Sequence, residues 1–285
     1  MSLGVMHQSM IIFGIFLSFC FHSNEIALYC VPIGFSVLQL VLIFTLFKVE
    51  SPTFLWKSHQ RELAISLVNN LYFEGEMTHE EIEEVFSEVD LNESGLTTDF
   101  KSLFKKPKYR KAVVMGLGII FLHRFIGAIQ VLKFSLDQFF EIPIEGFNFA
   151  STLPLIFLFF KYPEMRNRRL LQIGGLGMSI SLSALIALIA LIGYDYYSLI
   201  PSGFFVFFYQ NSIGPLMWIY CADILSEKGL VLTTSLYWVL AGANEAETCL
   251  DLDQTYLLSF HLLWCLILVV FSTWGFLEKH QIDTY

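Results

Sequence analysis

Long stretches without a single charged side chain recur along this sequence. Five of them are longer than about 20 residues, the length a helix needs to cross about 30 Å of hydrocarbon. They are residues 1–24, 26–47, 170–194, 196–222 and 254–277. Shorter charge-free runs cover 112–123, 146–160 and 229–244, and the first of these continues to about residue 135 if Arg124 and Lys133 lie inside a helical bundle. The pattern predicts an all-α transmembrane protein with about eight membrane-spanning helices.

The composition agrees with solvation by lipid rather than by water. Of 285 residues, 55% are hydrophobic and only 15% are charged, whereas soluble domains contain about 25% charged residues. The net charge of −9 argues against a polyanionic partner, so no nucleic acid is expected. We therefore expect membrane lipid to contact most of the surface.

No arrangement of side chains is typical of an enzyme or of a cofactor site. The histidines are dispersed, and the five cysteines have neither CxxC nor His-paired spacing. Residues 90–95 imitate the first half of an EF-hand loop, but its twelfth position, which needs a bidentate glutamate, is Lys101. We therefore predict no catalytic residue, no cofactor and no metal site.

The basic residues predict the orientation in the membrane. All 17 Lys and Arg residues except Arg124 and Lys133 fall in segments 48–111, 161–169, 223–228 and 278–285. Lys and Arg are concentrated in the cytoplasmic loops of membrane proteins. Both termini are therefore predicted to be cytoplasmic, in an integral, multi-pass protein of the plasma membrane or an internal membrane.

The region 49–111 is the one long polar segment. Within it, residues 60–70 and 78–89 are predicted to form short amphipathic helices, the second with Thr78 as N-cap and Glu81 three residues later, a capping-box pattern. This helical hairpin is expected to lie on the cytoplasmic side of the bundle.

Polar residues inside the predicted spans are candidates for function, because they are costly in lipid. The third span contains His123 and Arg124, and Arg124 lies near the predicted midplane. Its guanidinium must then face a wet cavity, helix-end carbonyls or a bound anion. Gln8 is a lone amide in the first span, and an interhelical hydrogen bond is its ordinary role.

The sixth span is interrupted by Gly214 and Pro215, with Gln210 before them and Trp218 after them. A broken helix at membrane depth is tolerated beside protein or a water-filled cavity. An amide and an indole there offer the hydrogen bonds and the flat apolar face that a ring-shaped polar solute needs. A packing kink with a core tryptophan is the alternative.

Five segments resemble, in order, elements of the sugar porter (hexose transporter-like) family of the major facilitator superfamily. They are Ser2 to Gln8 with Ile11, Ile12 and Gly14; Glu50-Ser51-Pro52; Gly116 to Ser135 with Gly127; Glu164 to Arg169; and Gly214 to Trp218 with Ala222-Asp223-Ile224. They are similar to the start of that family's fifth helix, the end of the sixth, the seventh, the loop after the eighth, and the tenth.

The resemblance implies a partial major facilitator fold in which the eight spans correspond to helices five to twelve. Residues 1–48 would form helices five and six, 49–111 a cytoplasmic loop with amphipathic helices, 112–277 the six-helix C-terminal half, and 278–285 a cytoplasmic tail. Helices one to four would be absent, so a truncated or partial chain is expected, and a second chain could supply them.

The resemblance also implies roles for particular residues. Those expected to bind the substrate are Gln8, His123, Arg124, Gln210, Trp218 and Trp238. A cytoplasmic gate of exchanging salt bridges would consist of Glu50, Glu164, Arg168, Arg169 and Asp223. The chain departs from the family where His123-Arg124 replaces paired glutamines and Tyr237 replaces an asparagine, which favours an acidic or phosphorylated solute, or none, over glucose.

Two functions follow from this pattern. The first is transport of a sugar or related polar solute by alternating access, as a facilitator or coupled to protons. The alternative is a non-transporting, transporter-like membrane protein that acts as a sensor or interaction partner. The sequence gives no support to a membrane enzyme.

Overall fold

The computed structural model describes residues 2–20, 25–45, 50–71, 86, 104, 107–128, 130–131, 141–161, 167–193, 196–225, 227–247 and 254–275. Every regular element in these ranges is helical. The α-helices are α1 Ser2–Cys20, α2 Glu25–Thr45, α3 Pro52–Lys57, α4 Arg61–Leu71, α5 Pro107–Phe125, α6 Glu141–Ala150, α7 Leu153–Lys161, α8 Asn167–Ile192, α9 Leu199–Gln210, α10 Ile213–Ile224, α11 Glu227–Glu247 and α12 Gln254–Val270. A 3₁₀ turn, Tyr196–Ser198, precedes α9, and a π-helix, Phe271–Gly275, follows α12.

The helices coincide with the charge-free stretches, which confirms the all-α prediction. Counted along the chain, the first three of the eight stretches correspond to α1, α2 and α5, and the last two correspond to α11 and α12. The stretch at 146–160 is divided between α6 and α7, and the stretch at 196–222 is divided between α9 and α10. Among the described residues, Asn167–Ile192 and Thr255–Trp274 are both long and apolar enough to cross a membrane, and Gln8–Ser18 and Cys30–Thr45 are shorter apolar helices.

The larger of two compact units comprises residues 1–22 and 102–285. In it, α8 packs along α9 and α12, α1 packs against α6 and α10, and α5 packs against α10 and α11. The core is aliphatic and aromatic, with Ile119, Leu182, Phe205 and Leu216 fully buried. These contacts place the inner faces of α1, α5, α6 and α9 around one interior.

Small residues let α8 approach α9 closely. A Cβ atom at Gly174 would collide with the side chain of Ser212, and one at Gly177 with the ring of Phe208. Small residues at such contacts are typical of helix packing in membranes, where dispersion between close backbones stabilises the pair. This contact fixes the end of α9, which contributes one residue to each of the two polar clusters described below.

The smaller unit comprises residues 23–101 and contains α2, α3 and α4. Ser51 caps α3 by accepting a hydrogen bond from the Phe54 amide at 3.2 Å. Trp56 and Phe86 stack with ring centroids 4.3 Å apart, and Ala64 is buried beside them. The helix α4 coincides with the first of the two predicted amphipathic helices, whereas the second lies outside the described residues except for Phe86.

Two helices are broken inside the larger unit. The helix α5 ends at Phe125, and Gly127 follows with a φ of +76°, a left-handed conformation that glycine adopts readily. Between α9 and α10, Asn211 and Ser212 interrupt the helix. Their side chains donate to nearby backbone carbonyls: Asn211 Nδ2 to those of Ser151 (2.7 Å) and Phe207 (2.8 Å), and Ser212 Oγ to that of Phe208 (2.6 Å).

Candidate functional site

A chain of buried polar side chains crosses the interior of the larger unit. Gln8 on α1 donates from Nε2 to Gln210 Oε1 on α9 over a long 3.4 Å. Gln210 donates from Nε2 to Asn148 Oδ1 on α6 at 2.6 Å. Asn148 then donates from Nδ2 to Glu145 Oε2 at 3.0 Å. All four side chains are buried. We call these four residues the amide chain.

Aromatic rings and a cation form a second cluster beside it. Tyr209 Oη lies 2.7 Å from His123 Nε2, and both side chains are buried. The guanidinium carbon of Arg124 lies 3.6 Å from the centroid of the Tyr237 ring, a cation–π contact. Trp218 packs against the same tyrosine, with its ring centroid 4.8 Å from that of Tyr237. We call these five residues the aromatic cluster.

The end of α9 joins the two clusters. Tyr209 and Gln210 are its last two residues, and both are buried. Successive helical side chains point about 100° apart, so Tyr209 reaches His123 on α5 while Gln210 reaches Asn148 on α6. Because the helix stops immediately after Gln210, an irregular backbone segment borders both clusters.

The predicted substrate-binding residues are brought together with one difference. Gln8 and Gln210 belong to the amide chain, and His123, Arg124 and Trp218 belong to the aromatic cluster. Trp238 does not join them, since its side chain is 66% exposed. Its neighbour Tyr237 contacts Arg124 and Trp218 instead, because successive side chains of a helix point about 100° apart.

Three of the predicted gate residues, Arg168, Arg169 and Asp223, lie in the described part of the larger unit and belong to neither cluster. Arg168 donates from Nε to the Ser272 carbonyl at 2.9 Å and from Nη2 to the Thr273 carbonyl, so it caps the end of the π-helix. Arg169 and Asp223 are exposed, and among the described residues these two and Arg168 form no ion pair with one another. Glu50 is exposed in the smaller unit, and Glu164 lies outside the described residues.

Sequence reasoning missed four members of the site, namely Glu145, Asn148, Tyr209 and Tyr237. Asn148 lies inside the charge-free run 146–160, and Glu145 comes shortly before it. The signal that could have found them is their spacing of three, which puts a carboxylate and an amide on one helical face. Tyr237 was noted as a departure from the family pattern and not as a contact of Arg124.

Comparison with known proteins gives one family over almost the whole chain. The model of the family described as "Sugar (and other) transporter" matches residues 1–278. The probable metabolite transport protein CsbC of Bacillus subtilis is 23% identical over 263 residues, covering 85% of this chain and 56% of its own length. The facilitated glucose transporter member 2 of Gallus gallus is 26% identical over 246 residues, covering 79% of this chain and 46% of its own length.

A solved structure shares the fold. It is the proton:xylose symporter XylE of the major facilitator superfamily, bound to 6-bromo-6-deoxy-D-glucose. The match has a TM-score of 0.79 at 17% identity, and covers 99% of this chain and 66% of the other. The chain thus has a major facilitator fold, and it spans about half the length of the curated relatives it matches.

Proposed function

This chain belongs to the sugar (and other) transporter family, and from that premise we propose that it carries a sugar or related polar solute across a membrane by alternating access. A member of this family is an integral, multi-pass membrane protein. We include in this proposal the orientation predicted from the basic residues, in which both termini are cytoplasmic. The membrane is the plasma membrane or an internal membrane of the cell.

The single observation that supports this proposal best is the buried amide chain next to the aromatic cluster. Buried amides are costly in an apolar bundle unless they are hydrogen-bonded, and here α1, α6 and α9 each contribute one. Amide groups can exchange these internal hydrogen bonds for bonds to hydroxyls of a solute. The indole of Trp218 supplies a flat apolar face nearby, as a sugar ring requires.

The broken helices support the mechanism of alternating access. Irregular backbone at membrane depth is tolerated where it lines a cavity, and such breaks let one part of a bundle move against another. We propose that Gly127 and the segment at Asn211 and Ser212 act as these pivots. In the same proposal Glu50, Glu164, Arg169 and Asp223 exchange ion pairs at the cytoplasmic side, while Arg168 holds the end of the π-helix.

The aromatic cluster gives weight to a second candidate function. His123 and Arg124 each contact a neighbouring tyrosine of the same bundle without any solute. A transporter-like protein that acts as a sensor or partner without carrying a solute fits that arrangement. The chain covers about half the length of its curated relatives, so in both candidates the rest of the bundle comes from further residues of the same protein or from a second chain.

Uptake into proteoliposomes tests the transport proposal. The purified chain would be reconstituted and supplied with labelled D-glucose, with its charged analogue D-glucuronate, or with L-glucose as the matched control solute. We expect saturable uptake of one D-sugar and none of L-glucose. Preference for glucuronate would show that the Arg124 cation selects acidic solutes.

A matched pair of variants ties uptake to the amide chain. We expect Gln210→Leu to abolish saturable uptake, because it removes both the donor and the acceptor of one amide. Gln39→Leu makes the same change at an exposed glutamine of α2, and should leave uptake at the wild-type rate. Binding without uptake would favour the second candidate, and equal uptake of D- and L-glucose would refute transport by this site.

A further inference from the structure

The amide chain ends on a buried carboxyl group that transport of a neutral solute does not require. Glu145 is only 4% exposed. Its Oε2 accepts the hydrogen bond from Asn148 at 3.0 Å. A buried carboxylate is costly without a counter-charge, so its retention here points to a use for the group.

No charged side chain compensates Glu145 in the described part of its surroundings. The helices packed against α6 are α1 and α9. Neither helix carries Asp, Glu, Lys or Arg. Their titratable residues are His7, whose side chain lies outside the described residues, Cys20, which is exposed, and Tyr209, which is hydrogen-bonded to His123. The carboxyl group is therefore poised to exist as either the acid or the anion.

The hydrogen bonds of the amide chain all run in one direction. Gln8, Gln210 and Asn148 each use the side-chain NH₂ group to donate to the next member, and the last acceptor is Glu145. An ionised carboxylate can only accept hydrogen bonds, so it fixes this direction. A protonated carboxyl group carries an O–H and can donate instead.

We propose that Glu145 is a proton-binding site whose state of protonation sets the direction of the whole amide chain. A proton from water adds to one carboxyl oxygen, and the new O–H donates to Asn148 Oδ1. Rotation of each amide by half a turn then lets Asn148 donate to Gln210 and Gln210 donate to Gln8. The proton is released again when the chain returns to its first direction.

This inference rests on the proposed function, in which Gln8 and Gln210 contact the solute. Protonation of Glu145 would change the hydrogen bonds that these two amides offer to it. Reversal exchanges the donor and acceptor that Gln8 and Gln210 can offer to a hydroxyl group, because Oε1 and Nε2 of each amide change places while the Cδ atom stays where it is. One hydrogen bond changed in this way alters affinity by about fivefold. Solute binding and proton binding would thus be linked.

Binding of D-glucose at several pH values tests the linkage, and the uncharged sugar does not itself titrate. We expect the Kd of the wild-type chain in detergent to change by about fivefold between about pH 5 and about pH 8. Glu145→Gln, which cannot ionise, should remove this pH dependence. Glu62→Gln, at an exposed glutamate of α4, is the matched control and should keep it. Equal pH dependence in wild type and Glu145→Gln, or none in wild type, would overturn the proposal.

Infrared difference spectroscopy tests the same site without any solute. Lowering the pH should produce the carbonyl band of a protonated carboxyl group together with a shift of side-chain amide bands. Glu145→Gln should lose the carboxyl band, whereas Asn148→Leu should keep it and lose the amide shift. A carboxyl band unchanged in Glu145→Gln would refute the proton site. Failure of both D-glucose and D-glucuronate to bind at any pH would refute the proposed function, with the infrared result still deciding for or against the proton site.

Discussion

The imidazole Nδ1 of His261 on α12 lies 2.9 Å from the carbonyl oxygen of Phe125, the last residue of α5. In an unbroken helix this oxygen would accept a hydrogen bond from the amide four residues later. The break at Gly127 removes that regular geometry. His261 is buried and must donate from Nδ1, since a carbonyl oxygen can only accept. A side chain of another helix therefore donates to a backbone carbonyl at the break.

Replacing His261 tests the value of this hydrogen bond. His261→Leu leaves a buried carbonyl without its donor, and we expect a loss of about 1–3 kcal/mol in stability. Thermal unfolding in detergent and hydrogen exchange of the peptide 119–131 would measure it. His261→Asn is the matched variant, because its amide nitrogen can occupy the place of Nδ1 and should preserve slow exchange. Equal destabilisation by leucine and asparagine would contradict this role.

Gly127→Ala tests the close contact between Gly127, at the break after α5, and the imidazole of His261. A Cβ atom at this position would run into the imidazole of His261, and the φ of +76° adds backbone strain. Gly193 provides the control, because it has a φ of +85° and nothing within 4 Å of its Cβ position. We expect Gly193→Ala to lose about 1–2 kcal/mol from strain alone and Gly127→Ala to lose clearly more. Similar melting temperatures for the two variants would argue against the steric contact.

The helices of this protein were predictable because lipid imposes a simple rule on the chain. A segment such as 170–194 must satisfy its backbone internally and expose few charges, and the helix α8 spans Asn167–Ile192. The positions of the helix breaks cannot be predicted from proline alone. Pro215 lies in the first turn of α10, where proline is tolerated, and the interruption falls earlier, where the side chains of Asn211 and Ser212 donate to backbone carbonyls at the end of α9.

The polar residues of the site were predictable only in part. Gln8, Gln210 and Arg124 stand out because each is an isolated polar group in an apolar helix. Which of Tyr237 and Trp238 faces inward depends on the rotation of α11 about its axis, which is set by packing against other helices. The link from Gln210 to Asn148 joins residues 62 positions apart, and no local pattern indicates such a pair.

Changes at Tyr237 test the contact with Arg124. We expect Tyr237→Leu to destabilise the larger unit by about 1–2 kcal/mol, because it removes a buried cation–π contact at 3.6 Å. Tyr237→Phe keeps the ring and should remain close to wild type. Trp238→Leu removes a larger ring from an exposed position and serves as the control in thermal unfolding. Greater destabilisation by Trp238→Leu than by Tyr237→Leu would show that Tyr237 does not face the interior.

The stacked pair in the smaller unit gives a test that is independent of the site. Phe86 is buried, and its ring lies 4.3 Å from that of Trp56, which also carries the guanidinium of Arg61 at 4.7 Å. Phe86→Ala should lose about 3 kcal/mol of local stability and accelerate amide exchange in 52–71 by about a hundredfold. Phe54→Ala truncates the same kind of side chain where it is 53% exposed, and should leave exchange nearly unchanged. Equal acceleration in both variants would mean that α3 and α4 do not depend on the stack, and amphipathic α4 would then need another partner for its apolar face.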